Sequence, residues 1–160
     1  APPLRSARDR DALRAALRDG VIDCIATDHA PHTDIEKDQP FDQAPPGMIG
    51  LEFAFALLFT DLVAPGHLPL TTLIQRMTAG PARIIGIPRG TLRPGSAADA
   101  AVLDLHAATE VTPARLHSKS KNTPFLGRVL SGAVTHTIVD GKLVFDHGVI
   151  VAGNAAGARA

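Results

Sequence analysis

The feature that most constrains this chain is a short apolar run that ends in a loop containing one aspartate and two histidines. The run covers residues 21–27, and Asp28, His29 and His32 follow it. A run this short, mostly apolar and rich in β-forming residues, is typical of a strand buried on both faces of a parallel sheet. In α/β barrels the loops after the strands carry the chemistry, so we expect Asp28 to project into an active site.

A helix is predicted before this run. Ser6 can cap its first turn together with Asp9, Leu13 and Leu17 fall on one face, and Gly20 is suited to end it. The order of helix, strand and polar loop favours an α/β fold.

The pattern changes once further along the chain. Helix signals continue over residues 51–63 and again after Thr71, with a break predicted near Gly80-Pro81. From about residue 88 strand signals replace them. These predicted strands cover residues 101–105, 129–130, 134–139 and 142–145. Asp140-Gly141, between the last two, predicts a hairpin because both residues of such a turn adopt positive φ.

Charge and cysteine content exclude several classes of partner. Lys and Arg together number 16, as do Asp and Glu, so no net charge favours nucleic acid or an anionic membrane. The single cysteine, Cys24, rules out an internal disulfide and is consistent with a reducing, cytoplasmic compartment. We expect it to be a buried, inert thiol. The longest apolar stretch, residues 48–59, is too short to span a bilayer.

Residues 26–37 resemble the signature of the dihydroorotases, a family of cyclic amidohydrolases. That signature reads Gly or Ala, Ser or Thr, Asp, any residue, Ala-Pro-His, four residues and Lys. Its fixed positions are all met here, by Ala26, Thr27, Asp28, Ala30, Pro31, His32 and Lys37. The resemblance continues at Pro2-Pro3-Leu4-Arg5, Ala44-Pro45-Pro46-Gly47, Leu51-Glu52, Gly80-Pro81-Ala82-Arg83, Gly95-Ser96-Ala97-Ala98-Asp99 and Asn122-Thr123-Pro124-Phe125.

The resemblance implies a hydrolase that interconverts dihydroorotate and N-carbamoyl-L-aspartate in pyrimidine synthesis, with one or two zinc ions as cofactor. Bound metal turns water into a nucleophile near neutral pH and polarises the amide carbonyl. In such enzymes Asp28 would ligate a metal and carry the proton to the leaving nitrogen. His32 would hydrogen-bond the substrate carboxylate, and the backbone of Pro46 and Gly47 would contact the ring amide.

Several other residues receive a more modest interpretation. His29 is interpreted as structural rather than as a ligand, and Phe125 is expected to fill a core. Lys37 is either a solvated loop residue or a participant in the chemistry. The five remaining histidines show no ligand spacing and receive no role.

The expected fold class is α/β: the C-terminal part of a (β/α)8 barrel followed by the C-terminal strands of a small β-sandwich. Residues 1–87 would form the end of the barrel, residues 88–151 the sandwich segment and residues 152–160 a disordered tail. The His-x-His that the family carries on its first barrel strand does not occur in the sequence. The chain is therefore expected to be an incomplete portion of the enzyme, which alone binds zinc weakly, folds poorly and is inactive.

Two alternatives stay open beside dihydroorotase. The first is an allantoinase or dihydropyrimidinase, although these usually lack the Ala-Pro-His of residues 30–32. The second is a non-catalytic dihydroorotase-like subunit that binds aspartate transcarbamoylase. The expected partners are a small-molecule substrate and either a second copy, in a homodimer, or aspartate transcarbamoylase, with neither nucleic acid nor membrane.

Overall fold

The chain runs from a helical half into one antiparallel sheet, as seen in a computed structural model that describes residues 5–151. The α-helices are α1 (Ala7–Asp19), α2 (Asp34–Lys37), α3 (Ala54–Leu58), α4 (Leu70–Met77) and α5 (Ala79–Ile85). The strands, in their spatial order, are β1 (Ala100–Glu110), β2 (Val129–Val139), β3 (Lys142–Asp146) and β4 (Val149–Ile150). The tail predicted to be disordered and the first three residues of the Pro-Pro-Leu-Arg resemblance lie outside the described residues.

Helix α1 begins and ends where the sequence predicts. The Ser6 hydroxyl accepts from the Asp9 N–H, and the Asp9 carboxylate accepts from the Ser6 N–H at 3.1 Å, which completes a capping box. Gly20 ends the helix at φ 86°, a left-handed conformation that glycine adopts without steric cost. Leu17 is buried as expected, whereas Leu13, predicted for the same face, is 60% exposed.

The strand expected over residues 21–27 is not formed, so this prediction was wrong. Val21 is 77% exposed, and the Ile25 N–H donates to the carbonyl oxygen of Arg76 on helix α4 at 2.9 Å. A strand requires a hydrogen-bonded neighbour, and none of the four strands in residues 5–151 pairs with this segment. Cys24, expected to be buried, is only half-buried for the same reason.

The apolar helix predicted over residues 51–63 is present, with a pitch that changes along its length. It consists of a 3-10 turn at Leu51–Phe53, helix α3, and a π-helical turn at Phe59–Val63. The Thr60 hydroxyl in the wide π turn accepts from the Ser131 N–H at 2.8 Å. This hydrogen bond attaches the helical segment to strand β2.

The next helix break comes before the predicted Gly80-Pro81. Thr78, at φ −128° and ψ −86°, separates α4 from α5, and both Gly80 and Pro81 lie in the first turn of α5. Proline is tolerated there because the first N–H groups of a helix have no intrahelical acceptor. Gly80 is needed because a Cβ would lie 2.6 Å from the carbonyl oxygen of Asp23.

The four strands form an antiparallel meander. The predicted hairpin between β2 and β3 is confirmed, with Asp140 at φ 48° and Gly141 at φ 74°. The predicted strands 129–130 and 134–139 are parts of one strand, β2. This strand passes through Gly132, which has a φ of 77°. Strand β4 was not predicted, since only two residues follow its turn.

Two apolar clusters hold these elements together. The first has its buried centre in the helical half, at Leu17, Phe55, Leu68 and Leu73, and side chains of β1 and β2 pack against it. The second joins the helical half to the sheet and contains Ile49, Phe53, Val111 and Leu130. Full burial of such a side chain stabilises a fold by about 1.5–3 kcal/mol. Phe125 packs edge-on against Phe53 at 5.8 Å between ring centroids, as its predicted core role requires. Within the described part of the chain, no helix is long and apolar enough to cross a membrane.

Gly132 provides a test of how the helical segment packs on the sheet. Gly132 has a φ of 77°, and a Cβ at this position would lie 2.9 Å from Cδ1 of Phe59. We predict that Gly132→Ala lowers the free energy of unfolding by about 2–5 kcal/mol, since left-handed strain and crowding add. Gly66→Ala is the matched control, because Gly66 has φ 79° and no atom within 4 Å of a Cβ. Equal losses for the two variants, in chemical denaturation of the complete protein that contains this chain, would contradict the packing.

The pKa of Glu36 tests the capping box that begins α2. The Thr33 backbone N–H, and then the Thr33 hydroxyl, donate to the Glu36 carboxylate and hold its pKa below the ordinary value; positive charge on His32 acts in the same direction. A lowered folded-state pKa stabilises the helix above the unfolded-state pKa, and this stabilisation is lost as pH falls through the folded-state value.

We predict that Thr33→Val raises the pKa of Glu36, because the hydroxyl donor is removed. Thr33→Ser, which keeps the hydroxyl, should leave that pKa unchanged. Titration of the Glu36 carboxyl carbon by NMR measures both. An unchanged value in Thr33→Val would show that the side-chain half of the capping box is not formed.

Candidate active site

Three segments that are distant in sequence meet at the candidate site. They are the motif loop (residues 28–32), the proline loop (residues 44–49) and the segment 120–123. The Ala30 N–H of the motif loop donates to the Met48 carbonyl of the proline loop at 3.0 Å. The structure therefore brings three of the predicted site residues, His32, Pro46 and Gly47, into one place.

Asn122 joins the two loops. Its Nδ2 donates to the Ala30 carbonyl at 2.9 Å, and its Oδ1 accepts from the His32 N–H at 3.2 Å. Its backbone carbonyl accepts from the Ile49 N–H at 3.1 Å. The Ser120 hydroxyl donates to Asn122 Oδ1 at 2.6 Å and holds the Asn122 side chain in place. Asn122 therefore uses both ends of its amide and its backbone to hold the loops together.

The three successive carbonyls of the proline loop are all hydrogen-bonded to side chains. Lys37 Nζ donates to the carbonyl oxygens of Pro45 at 2.7 Å and Gly47 at 2.8 Å. His32 Nε2 lies 3.2 Å from the Pro46 carbonyl oxygen, and because a carbonyl only accepts, this nitrogen carries the hydrogen. Lys37 is half-buried, which excludes the interpretation of a solvated loop residue.

Gly47 lets the two loops approach each other. Its φ is 113°, and a Cβ at this position would lie 2.6 Å from the Ala30 Cβ and 3.8 Å from His32 Nε2. Only glycine combines this backbone conformation with so close a neighbour. Gly47 was predicted to permit close approach of a substrate, and in the structure it permits close approach of the motif loop.

Asp28 lies at the open start of the motif loop. Its Oδ1 accepts from the His29 N–H at 2.7 Å, while Oδ2 has no hydrogen-bond partner within residues 5–151. The side chain is exposed. His29 is half-buried, and its Nδ1 is buried without a partner among the described residues. Asp28 therefore has one oxygen fixed locally and one available for chemistry.

The described residues do not form a complete metal site around Asp28. A stable zinc site needs three or four protein donors, and the motif loop contributes one carboxylate. A group whose donor atoms lie within 4.8 Å of one another consists of His136, Asp146 and His147, on β2, β3 and the turn that follows. This group does not include Asp28, so it does not complete the expected centre.

Two supporting side chains were assigned no role from the sequence. The Glu52 carboxylate accepts from the backbone N–H groups of His117 at 2.6 Å and Ser118 at 2.8 Å. Lys121 Nζ donates to the Leu116 carbonyl at 2.6 Å and fixes the same stretch. Glu52 and Asn122 both lie in stretches that resemble family landmarks, and this was the available sign that they matter.

Comparisons with known proteins agree with this geometry. Residues 2–144 match the amidohydrolase family. The chain is 55% identical over 145 residues to a dihydroorotase of Anaeromyxobacter dehalogenans. This match covers 91% of this chain and 33% of that protein. It is 53% identical over 149 residues to a dihydroorotase of Pelotomaculum thermopropionicum, and this match covers 93% of this chain and 35% of that protein. The chain thus spans about a third of the length of the curated relatives it matches.

Solved structures show the same relationship at the level of the fold. The chain superposes on an L-hydantoinase (dihydropyrimidinase) from Arthrobacter aurescens with a TM-score of 0.87 and 35% identity, covering 94% of this chain and 35% of that one. It superposes on a D-hydantoinase from Thermus sp. with a TM-score of 0.86 and 29% identity, and the match covers 94% of this chain and 34% of that one. These superpositions confirm the predicted fold class, the end of a barrel followed by strands of a β domain. On the match over residues 2–144, the chain belongs to the amidohydrolase family.

Proposed function

We propose that this chain is the portion of a dihydroorotase that contributes a catalytic aspartate and a substrate-binding histidine. The enzyme would reversibly hydrolyse dihydroorotate to N-carbamoyl-L-aspartate. The observation that supports this most is the complete motif of residues 26–37, whose His32 and Lys37 both hydrogen-bond the proline loop. Identity of 55% to a dihydroorotase supports the same substrate.

Asp28 is proposed to carry the proton. Hydrolysis adds the hydroxyl group of water to the ring carbonyl carbon, breaks the bond from that carbon to nitrogen, and moves one proton to the nitrogen. The free Oδ2 of Asp28 is an exposed carboxylate oxygen that can take up and release this proton. The zinc ions implied by the resemblance would require donors beyond Asp28, because the described residues around it do not form a metal site.

His32 is proposed to bind the substrate carboxylate. Its Nε2–H is engaged with the Pro46 carbonyl, and its Nδ1 lies 3.9 Å from a Glu36 oxygen. The ring can therefore serve a carboxylate in two ways. Either Nε2–H exchanges its carbonyl acceptor for the substrate, or a protonated ring donates from Nδ1.

We also infer that the chain divides into the end of a barrel, residues 1–87, and a sandwich segment, residues 88–151. In support, the five α-helices of the described chain end by Ile85, and its four strands begin at Ala100. A cytoplasmic location, and a homodimer or an aspartate transcarbamoylase complex, stay predictions from the sequence.

A hydantoinase-type cyclic amidase is the second candidate, favoured by the superposition on the Arthrobacter aurescens enzyme. Sequence identity to that protein is 35%, against 55% to the Anaeromyxobacter dehalogenans dihydroorotase. The Ala-Pro-His of residues 30–32 also favours dihydroorotase.

The test compares substrates on the complete protein that contains this chain. We predict that kcat/KM for dihydroorotate exceeds that for hydantoin by at least about 100-fold, since a site that binds a carboxylate discriminates against a ring that lacks one. A preference for hydantoin would support the second candidate. Failure to turn over either substrate with zinc supplied would contradict both and favour the non-catalytic subunit.

Two variants assign the activity to this chain. Asp28→Asn should abolish turnover because an amide cannot carry the proton. His32→Ala should mainly raise KM, by roughly 10- to 150-fold, the equivalent of about 1.5–3 kcal/mol for a charge-assisted hydrogen bond. Asp42→Asn, an exposed aspartate in the intervening loop, is the control that should behave as wild type. Wild-type kcat in Asp28→Asn would refute the role of Asp28.

A further inference from the structure

We propose that Lys37 is a positioning residue that turns the proline loop into a hydrogen-bond donor for the substrate. The inference rests on the proposed function, because it concerns how that site recognises its substrate. It assigns a role to the last fixed position of the motif.

The bridge made by Lys37 fixes the loop on both sides of Pro46. One ammonium group donates to the carbonyl oxygens of Pro45 and Gly47 at 2.7 and 2.8 Å. Both bonds are charge-assisted and half-buried, so they are stronger than bonds between neutral groups in water. His32 Nε2 holds the carbonyl between them. Each of the three carbonyl oxygens therefore already accepts a hydrogen bond from a side chain.

The donors of the same loop are equally restricted. Pro45 and Pro46 have no backbone N–H. The Gly47 N–H has no hydrogen-bond acceptor within residues 5–151. The Gly47 N–H is therefore the one backbone donor of residues 45–47, and within the described chain it is free to bind a substrate, whereas each carbonyl of the loop is already engaged by a side chain.

A donor requires an acceptor on the ligand. The group of the substrate that meets the Gly47 N–H is therefore a carbonyl or carboxylate oxygen. The backbone of Pro46 and Gly47 was expected to contact the ring amide. We infer that the loop recognises the oxygen of that amide. Without Lys37 the carbonyls of Pro45 and Gly47 would be free to turn outward, and the loop would present acceptors that repel this oxygen.

Lys37→Met tests the role on the complete protein. Methionine keeps a similar unbranched stem but removes the donors. We expect KM for dihydroorotate to rise at least tenfold while kcat changes less than threefold. Lys37→Arg, which can also donate two hydrogen bonds, should recover part of the loss. Lys142→Met on β3 is the matched control, since Lys142 is exposed and makes no side-chain hydrogen bond in the described chain.

The split between KM and kcat separates positioning from a merely structural role. A variant that only destabilises the fold lowers the active fraction, and so lowers the apparent kcat with KM unchanged. The inference would be overturned if Lys37→Met lowered the apparent kcat with KM unchanged, or if its KM equalled that of Lys142→Met.

The failure of the proposed function would look different, because the wild-type protein would then not turn over dihydroorotate. Amide hydrogen exchange over residues 44–49 still tests Lys37 in that case. Lys37→Met should speed exchange there and Lys142→Met should not; equal exchange in the two variants would overturn the inference.

Discussion

The side-chain amide of Asn122 is the interaction on which the candidate site depends. It bonds Ala30 and His32, which lie 92 and 90 residues earlier in the chain, and its backbone carbonyl bonds Ile49. A primary amide can donate and accept at the same time, so one side chain satisfies both a backbone carbonyl and a backbone N–H. Removing it would leave those groups unpaired in a half-buried setting, at a cost of about 1–3 kcal/mol for each.

The elements that the sequence predicted well are those whose cause is local. The capping box of α1, its glycine end, and the hairpin at Asp140-Gly141 each depend on residues within four positions of one another. The strand over residues 21–27 failed because pairing in a sheet is not local: the apolar run is compatible with a strand, but its stability requires a neighbour that residues 5–151 do not provide. The same limit hid the merger of two predicted strands at Gly132, whereas β4 was missed because it is only two residues long.

The candidate site shows the same division between identity and role. Asp28, His32, Pro46 and Gly47 were selected from the motif and from a resemblance, which named the residues without their contacts. The role of Lys37 could not be predicted, because its two acceptors lie 8 and 10 residues away, on a loop whose path two prolines and a left-handed glycine determine. Once that path is known, the hydrogen bonds show which backbone donor of the loop is left without a partner among the described residues.

Amide hydrogen–deuterium exchange on the complete protein tests most directly whether Asn122 assembles the site. In Asn122→Ala, protection should fall together in peptides covering residues 28–32 and 44–49, because both loops depend on the same residue. Gln75→Ala, an exposed change on α4, should leave both peptides as in wild type. A change confined to the surroundings of residue 122, or to one loop alone, would contradict a site built around this amide.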